Sequence, residues 1–388
     1  MNAPVTSSLR RYLVITELFL PTKGGTAVWF AEVYPRLGGK DTHIVTAAVP
    51  GATEVDAVHP NAVHRVTLER VPWLKPESLI MYLRLFTTSW RLTREHRFEA
   101  VHAGRALPEG LVAWAVARLA RLPCVIYAHG EELTTWGQGA KYKTMRFALR
   151  HADRVIANSD YTREVLLGMG VDAARITLIN PGVDVERFRP ALPHADLRQT
   201  LGLAPGQPLI LSVGRLQKRK GFDHVLAALP ALVERGLDAH YALIGIGEQR
   251  DELEAQARAL GIAARTHFLG HVSPEDLPRW YNACDVFAMP NREVDGDTEG
   301  FGMVFLEAGA CGKPCIAGRA GGTGSAVADN VTGLRVDGTS VADIINALAR
   351  LLSDRTLARA MGEAAHARAV QRHSWQSVAE QTSALRLD

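Results

Sequence analysis

Cysteine is scarce in this chain: four in 388 residues, at positions 124, 284, 311 and 315. No two form a Cys-x-x-Cys pair, and a chain of this length has core enough without cross-links. A disulfide framework is therefore excluded and reduced thiols are expected. Cys311 and Cys315 have the spacing of one helical turn, but no second Cys or His pair stands near them, which favours packing over a metal. Also missing is any run of about 18 apolar residues, so no segment reads as a membrane-spanning helix. The opening stretch, MNAPVTSSLRRYLVITELFL, is broken by Glu17 and does not read as a secretory signal, so a cytoplasmic place of action is expected. Charge of one sign is not in excess: 44 Lys and Arg against 41 Asp and Glu leave +3, which offers nucleic acid no electrostatic footprint. Repeats and low-complexity segments are lacking as well. No Asp-x-Asp pair stands out as a metal motif.

What remains is an ordinary globular composition, 47% hydrophobic and 22% charged, long enough for two domains. Short apolar β-rich runs alternate with longer helical patterns. In the first half these runs are Tyr12–Thr16, His43–Ala47, Ala100–Ala103, Cys124–Ala128 and Arg154–Asn158. In the second they are Leu209–Val213, Tyr241–Ile244, His267–Leu269, Val286–Met289 and Pro314–Ala317. Stretches such as Gly221–Arg235 and Glu248–Leu260 carry helical spacing. Strands apolar on both faces and separated by helices predict parallel sheets covered on both sides, in an α/β protein of two Rossmann-like halves facing a cleft. The proline-marked stretch Asn180–Pro193 and the turn Gly202–Gly206 put the boundary near residues 185–200.

In open α/β sheets, ligands bind beyond the carboxyl ends of the strands, and the loops there are unusual in this sequence. Gly214-Arg215…Lys220-Gly221 follows a predicted strand and precedes a helix. A diphosphate needs cations at such a place, one as a fork and one as a point charge. The alternative is a solvated basic turn, with Lys218 and Arg219 as exposed charge. In Glu299-Gly300-Phe301-Gly302-Met303-Val304-Phe305-Leu306-Glu307, the glycines argue against one continuous helix. The expected arrangement puts Glu299 in a loop, starts the helix near Gly302 and sets Glu307 one turn inside it. The amides of Gly302, Met303 and Val304 then face an incoming anion, and Glu307 can accept two hydroxyl hydrogen bonds, as a ribose offers. The competing reading is two surface glutamates on an amphipathic helix. Gly24-Gly25 in the first βα loop permits close backbone approach to a phosphate or sugar, or only a tight turn. Gly245-Ile-Gly247 has Arg250 where a dinucleotide fingerprint has its third glycine, so it is a poor sign of NAD. Gly321-Gly-Thr-Gly324 reads as a flexible loop with Ser325 as a helix cap. His129, at the end of a buried strand, is more often structural than catalytic, but here it sits at a strand end of the opposite half.

Together these residues resemble the retaining glycosyltransferases of family 4, which have the GT-B fold. The resemblance covers essentially the whole chain. It runs through ELFLPTKGGTAVWFAEV (residues 17–33), YAHG (127–130), NPGVDVERFRP (180–190), LSVGRLQKRKGF (211–222), FLGHVSPEDLPRWYNACDVFAMPN (268–291) and EGFGMVFLEAGACGKPCIAG (299–318). The last block carries the family's E-x7-E signature. The resemblance implies an acceptor-binding domain over 1–188, a nucleotide-sugar-binding domain over 189–372, and a helix at 373–388 that returns to the first. It implies that Arg215 and Lys220 bind the donor diphosphate and that Glu307 holds the ribose. Glu299 and the amides of Gly300, Phe301, Gly302, Met303 and Val304 would hold the transferred sugar. His129 would contact that sugar near the reacting centre, Gly24 and Gly25 would approach the phosphates, and His271 and Val272 would meet the base. One departure stands out: many members have Gly-Gly-x-x-Glu where this chain has Gly321-Gly-Thr-Gly-Ser325.

The implied reaction is transfer of a hexosyl residue from UDP- or GDP-hexose to a glycan, lipid-linked or small-molecule acceptor, with retention, no cofactor and no metal. In this family retention is explained by front-face attack, with the leaving phosphate taking the acceptor proton. The competing readings are another GT-B enzyme, an epimerase or a phosphorylase, and a non-catalytic nucleotide-sugar-binding subunit. Two basic segments, the amphipathic stretch Leu79–Phe98 with Arg84, Arg91, Arg94 and Arg97, and Lys141–Arg150 with Lys141, Lys143, Arg146 and Arg150, lead us to expect peripheral contact with the inner face of the cytoplasmic membrane.

Overall fold

The structure is a computed structural model that describes residues 10–22, 24–69, 77–135 and 139–387. The chain divides into two units, one of residues up to Asn180 together with those from Trp375, the other Pro181–Ser374. The first break precedes 188/189 because the intervening residues are held by the second unit. Val183 donates its N–H to His373 O at 2.7 Å, and Val183 and Phe188 are buried in that unit's core.

In the first unit seven strands are described: β1 (Tyr12–Ile15), β2 (His43–Ala47), β3 (Ala62–Val66), β4 (Ala100–Ala103), β5 (Cys124–Ala128), β6 (Arg154–Ala157) and β7 (Ile176–Leu178). They form one all-parallel sheet in the order β3-β2-β1-β4-β5-β6-β7. The second unit has β8 (Leu209–Val213), β9 (His240–Ile244), β10 (Thr266–Gly270), β11 (Val286–Met289), β12 (Cys315–Gly318) and β13 (Gly333–Val336), also parallel, in the order β10-β9-β8-β11-β12-β13. The central strands β1, β4, β5, β8, β9 and β11 are buried at every position, as strands covered by helices on both faces must be.

Strand order reverses between β1 and β4 in one sheet and between β8 and β11 in the other. A crevice opens at such a switch point, beyond the carboxyl ends of the two strands, because their connections leave in opposite directions. The helices that matter below are α1 (Gly25–Gly38), α2 (Leu79–Glu95), α3 (Ala140–His151), α4 (Phe222–Glu234), α5 (Met303–Ala310) and α6 (Trp375–Ser383). The C-terminal helix α6 packs on α1 in the first unit, with Trp375, Val378 and Ala379 buried. All four cysteines are free and buried. Cys311 follows α5 and Cys315 opens β12, so they do not share a helix as their spacing suggested. Among the described residues no helix is long and apolar enough to cross a membrane.

Candidate active site

β8 ends at Val213 and turns on Gly214, whose φ of 152° is a conformation side chains rarely adopt. The loop after β9 closes directly onto this turn. A Cβ on Gly245 would lie 1.8 Å from Gly214 O, and one on Gly247 would lie 2.5 Å from Leu216 O. Backbone-to-backbone packing therefore accounts for the Gly245-Ile-Gly247 pair. Arg215 is exposed and makes no ion pair among the described residues.

Lys218–Lys220 form a single 3₁₀ turn that hands the chain to α4. Arg219, expected as exposed charge, is buried. Its Nη1 donates to Glu299 Oε2 at 3.0 Å, and its Nε lies 3.0 Å from Asp297 Oδ2. Lys220 Nζ donates to the same Glu299 Oε2, while Lys218 is exposed. Three consecutive cations read as one solvated run, but a 3₁₀ turn spreads successive side chains about 120° apart, so one must point inward.

Asp295-Gly296-Asp297 has the spacing of an Asp-x-Asp pair. The structure gives it another use. Asp295 and Gly296 both have positive φ, 52° and 79°, in a two-residue turn closed by a bridge between Val294 and Asp297. Asp297 then faces Arg219. Among the described residues no group of three or more His, Cys, Asp or Glu is arranged to hold a metal.

Glu299 is the shared anion of this cluster. Burial pushes its carboxyl up, but Lys220 and Arg219 outweigh that and hold it below the ordinary carboxylate range. The loop after β12 packs beneath it, where a Cβ on Gly321 would lie 2.2 Å from Glu299 O, and Gly322 donates its N–H to that oxygen at 2.8 Å. Ser325 lies inside the short helix Thr323–Ala326, which Gly322 precedes, so the cap expected of Ser325 is not made. Gly302 precedes α5 at φ 87°, and a Cβ there would lie 2.7 Å from the Phe305 ring. The first-turn amides of Met303 and Val304 have no acceptor within the helix, as at any helix start. Glu307, on the first full turn of α5, accepts a hydrogen bond from Tyr281 Oη at 2.6 Å. Burial raises its pKa, opposed by that bond and by the Arg187 charge. Tyr281 is a residue that sequence reasoning missed. After β10, His271 is exposed and Val272 half-buried, and Arg187 Nη2 donates to Pro274 O at 2.6 Å, pinning the same loop.

In the first unit, Gly24 (φ 145°) precedes α1 and Gly25 begins it, both exposed. His129 follows β5 and is held on three sides. Its N–H donates to Glu132 Oε1 at 2.8 Å, its carbonyl accepts from Asn158 Nδ2 at 2.8 Å, and its ring Nε2 lies 2.9 Å from Gly104 O. Burial lowers its pKa, which keeps the ring neutral. A carbonyl only accepts, so Nε2 carries the proton and Nδ1 is left as an acceptor. At the carboxyl ends of β1 and β4 lies a cavity of about 330 Å³ lined by Glu17, Arg105 and Lys141 and by Ser78, Met81 and Tyr82 at the start of α2. Arg105 Nη2 donates to Glu17 Oε2 at 2.6 Å, and Glu17 N–H donates to the buried Glu109 Oε1 at 2.9 Å.

Comparison with known proteins decides the family. Glycosyl transferases group 1 matches residues 194–368, and Glycosyltransferase Family 4 matches residues 23–187. The chain is 35% identical to the GDP-mannose-dependent alpha-(1-6)-phosphatidylinositol monomannoside mannosyltransferase of Mycobacterium tuberculosis, over 96% of each chain. This chain belongs to glycosyltransferase family 4. A monoacylated-substrate counterpart from Corynebacterium glutamicum is 30% identical over 96% of this glycosyltransferase and 97% of the relative. Its fold is that of solved GT-B glycosyltransferases. Anabaena HepE in complex with UDP superposes with a TM-score of 0.81 at 23% identity, covering 96% of this chain and 98% of HepE. Sucrose-phosphate synthase from Thermosynechococcus elongatus gives 0.76 at 23%, covering 96% and 97%. The protein is therefore an enzyme that transfers a glycosyl group from a nucleotide-sugar donor.

Proposed function

We propose that this glycosyltransferase moves a mannosyl residue from GDP-mannose to an inositol-containing lipid acceptor, with retention of configuration and without a metal. What supports the chemistry is that Arg215 and Lys220 lie in the segment after β8, and that Lys220 and Gly302 at the start of α5 both meet Glu299. Breaking the bond between sugar and diphosphate develops positive charge at the anomeric carbon and negative charge on the departing phosphate. Cations and helix-end amides held in place favour that separation without reorganising. Two side-chain cations supply the neutralisation for which other enzymes use Mg²⁺. In this reading Glu307 holds the ribose, since its carboxylate keeps lone pairs beyond the one Tyr281 uses. Glu299 and the Gly300–Val304 backbone hold the sugar, and His271 and Val272 meet the base. Gly24 and Gly25 bring backbone to the phosphates, and His129 offers Nδ1 to a sugar hydroxyl. The cavity beside Glu17, Arg105 and Lys141 suits a polyol carrying a phosphate, because carboxylates accept hydroxyls and the cations meet the anion. The choice of donor and acceptor rests on relatives named for GDP-mannose and phosphatidylinositol mannoside at 30–35% identity across nearly the full chain.

The test is a transfer assay with labelled GDP-mannose, UDP-glucose and UDP-galactose on inositol-phospholipid vesicles, with and without EDTA. The expected result is an α-mannoside formed from GDP-mannose alone, undiminished by EDTA. Transfer only from a UDP-sugar rejects the donor, a β-linked product rejects retention, and EDTA inhibition reversed by Mg²⁺ rejects metal independence.

A further inference from the structure

Lys220 is assigned above to the donor diphosphate, yet in this structure its ammonium rests on Glu299 Oε2. If the diphosphate draws Lys220 away, Glu299 must lose one of its two cations. Its side chain is only 13% exposed, and a buried carboxylate without a partner takes up a proton rather than remain charged. A protonated Glu299 would become a hydroxyl donor and could no longer accept from the sugar with both oxygens. Arg219 is built to prevent this. Its Nη1 reaches the same oxygen at 3.0 Å, and its side chain is 10% exposed, so it cannot leave for solvent. Asp297 lies 3.0 Å from its Nε on the far side. The Arg219 carbonyl accepts from Arg292 N–H at 2.8 Å, while the Arg292 guanidinium clasps Asp223 of α4 through Nη1 and Nη2 at 2.9 and 2.7 Å. Backbone and side chain of Arg219 are thus both fixed from outside the Lys220 contact.

We propose that Arg219 is a positioning residue that keeps Glu299 ionised when the donor diphosphate takes Lys220. The exchange leaves Arg219–Glu299 as a standing pair, and Lys220 moves between the carboxylate and the phosphate without stranding either charge. The groups facing Glu299 are Arg219 and Lys220 from the loop after β8, with Asp297 of its own loop reaching it through Arg219. The loop after β12 presents Gly321 and Gly322, which carry no charge. The inference rests on the proposed diphosphate role of Lys220 and adds a residue to it.

The experiment is calorimetric binding of GDP to the full chain in two buffers of different ionisation enthalpy near pH 6, together with the pH profile of turnover. Protons belonging to GDP itself are common to every protein, so the difference between variants reports Glu299. For Arg219→Gln, GDP binding should take up additional protons relative to wild type. The acid limb of kcat should move up by about 1–3 pH units, the usual effect of losing an adjacent Arg⁺. Arg219→Lys, which keeps the charge, should restore the wild-type limb, and adding Glu299→Gln to Arg219→Gln should abolish the extra proton uptake. Should Arg219→Gln fail to fold because Asp297 is left without its cation, Arg219→Gln/Asp297→Asn removes that anion and leaves the same readout. A folded Arg219→Gln or double variant with wild-type proton uptake and an unmoved limb overturns the proposal. Failure of the underlying reading looks different: Lys220→Ala would then bind GDP as well as wild type does.

Discussion

At the scale of single residues, the cations of the loop after β8 divide by their surroundings. Arg215 is exposed and unpaired among the described residues, Lys220 is partly covered and paired with Glu299, and Arg219 is locked. Arg215→Ala should therefore lower turnover about 10²–10³-fold, the usual loss when one fixed charge donor is removed, with thermal stability unchanged. Lys220→Ala should lower turnover similarly and also cost some stability, because Glu299 keeps one cation instead of two. Steady-state kinetics beside a melting curve separates the two cases, and near-normal turnover in either variant would remove that residue from the diphosphate site. A second expectation concerns Tyr281. Its hydrogen bond favours the charged form of Glu307, whose pKa burial already raises. Tyr281→Phe should push that pKa higher still, so GDP affinity, lost as pH falls through the Glu307 titration, should be lost at a higher pH than in wild type. Binding titrations from pH 5 to 8 check this, and coincident profiles would contradict it. Arg215, Lys220, Glu299 and Glu307 could be singled out in the sequence because they sit at motif spacings beside glycines. Arg219 and Tyr281 could not, since their significance lies in what the fold buries them against.

At the scale of elements, the ten predicted strands all form, to within a residue at each end, and three further strands, β3, β7 and β13, were missed. All three lie at sheet edges, where a strand is covered less completely and needs fewer apolar residues. The long continuous apolar runs that mark a central parallel strand are absent there. The basic helices show a similar limit. Leu79, Tyr82, Leu83, Phe86 and Trp90 recur at three- and four-residue steps, yet the buried face of α2 consists of Met81, Leu85, Ser89 and Leu92. Leu79 and Leu83 are instead exposed, at 38% and 53%, beside the exposed Arg84 and Arg91. Exposed Phe147 accompanies Lys143 and Arg150 on α3. Apolar groups among cations suit an anionic lipid surface, where each cation contributes about 1 kcal/mol. Co-sedimentation with anionic vesicles should fall as salt rises and should weaken in Leu83→Ser/Arg84→Gln. Absence of binding at low salt would leave these helices merely solvated.

At the scale of the whole molecule, each unit buries histidines that fold in the neutral form. Burial, helped by His96 and His64 and opposed by Asp41, lowers the pKa of His43 to about 4. Burial alone lowers that of His102 to about 3, and burial with Arg368 lowers that of His373 to about 4. A depressed imidazole pKa means that the unfolded chain binds protons first. The stability these groups support is whole above pH 6.5 and is lost as pH falls from 6.5 toward 4. Melting temperature should accordingly drop through that window, and His43→Gln should flatten the drop. A melting temperature constant from pH 6.5 to 4.5 would contradict the assignment.

The proposed chemistry depends on a nucleoside diphosphate seated by Arg215, Lys220 and the start of α5. Its most direct test is a crystal structure of the protein with GDP. Diphosphate oxygens should then lie within hydrogen-bonding distance of Arg215, Lys220 and the Met303 and Val304 amides, with ribose hydroxyls on Glu307 and Lys220 withdrawn from Glu299. A diphosphate bound elsewhere, with the Lys220–Glu299 pair intact and Glu307 untouched, would contradict it.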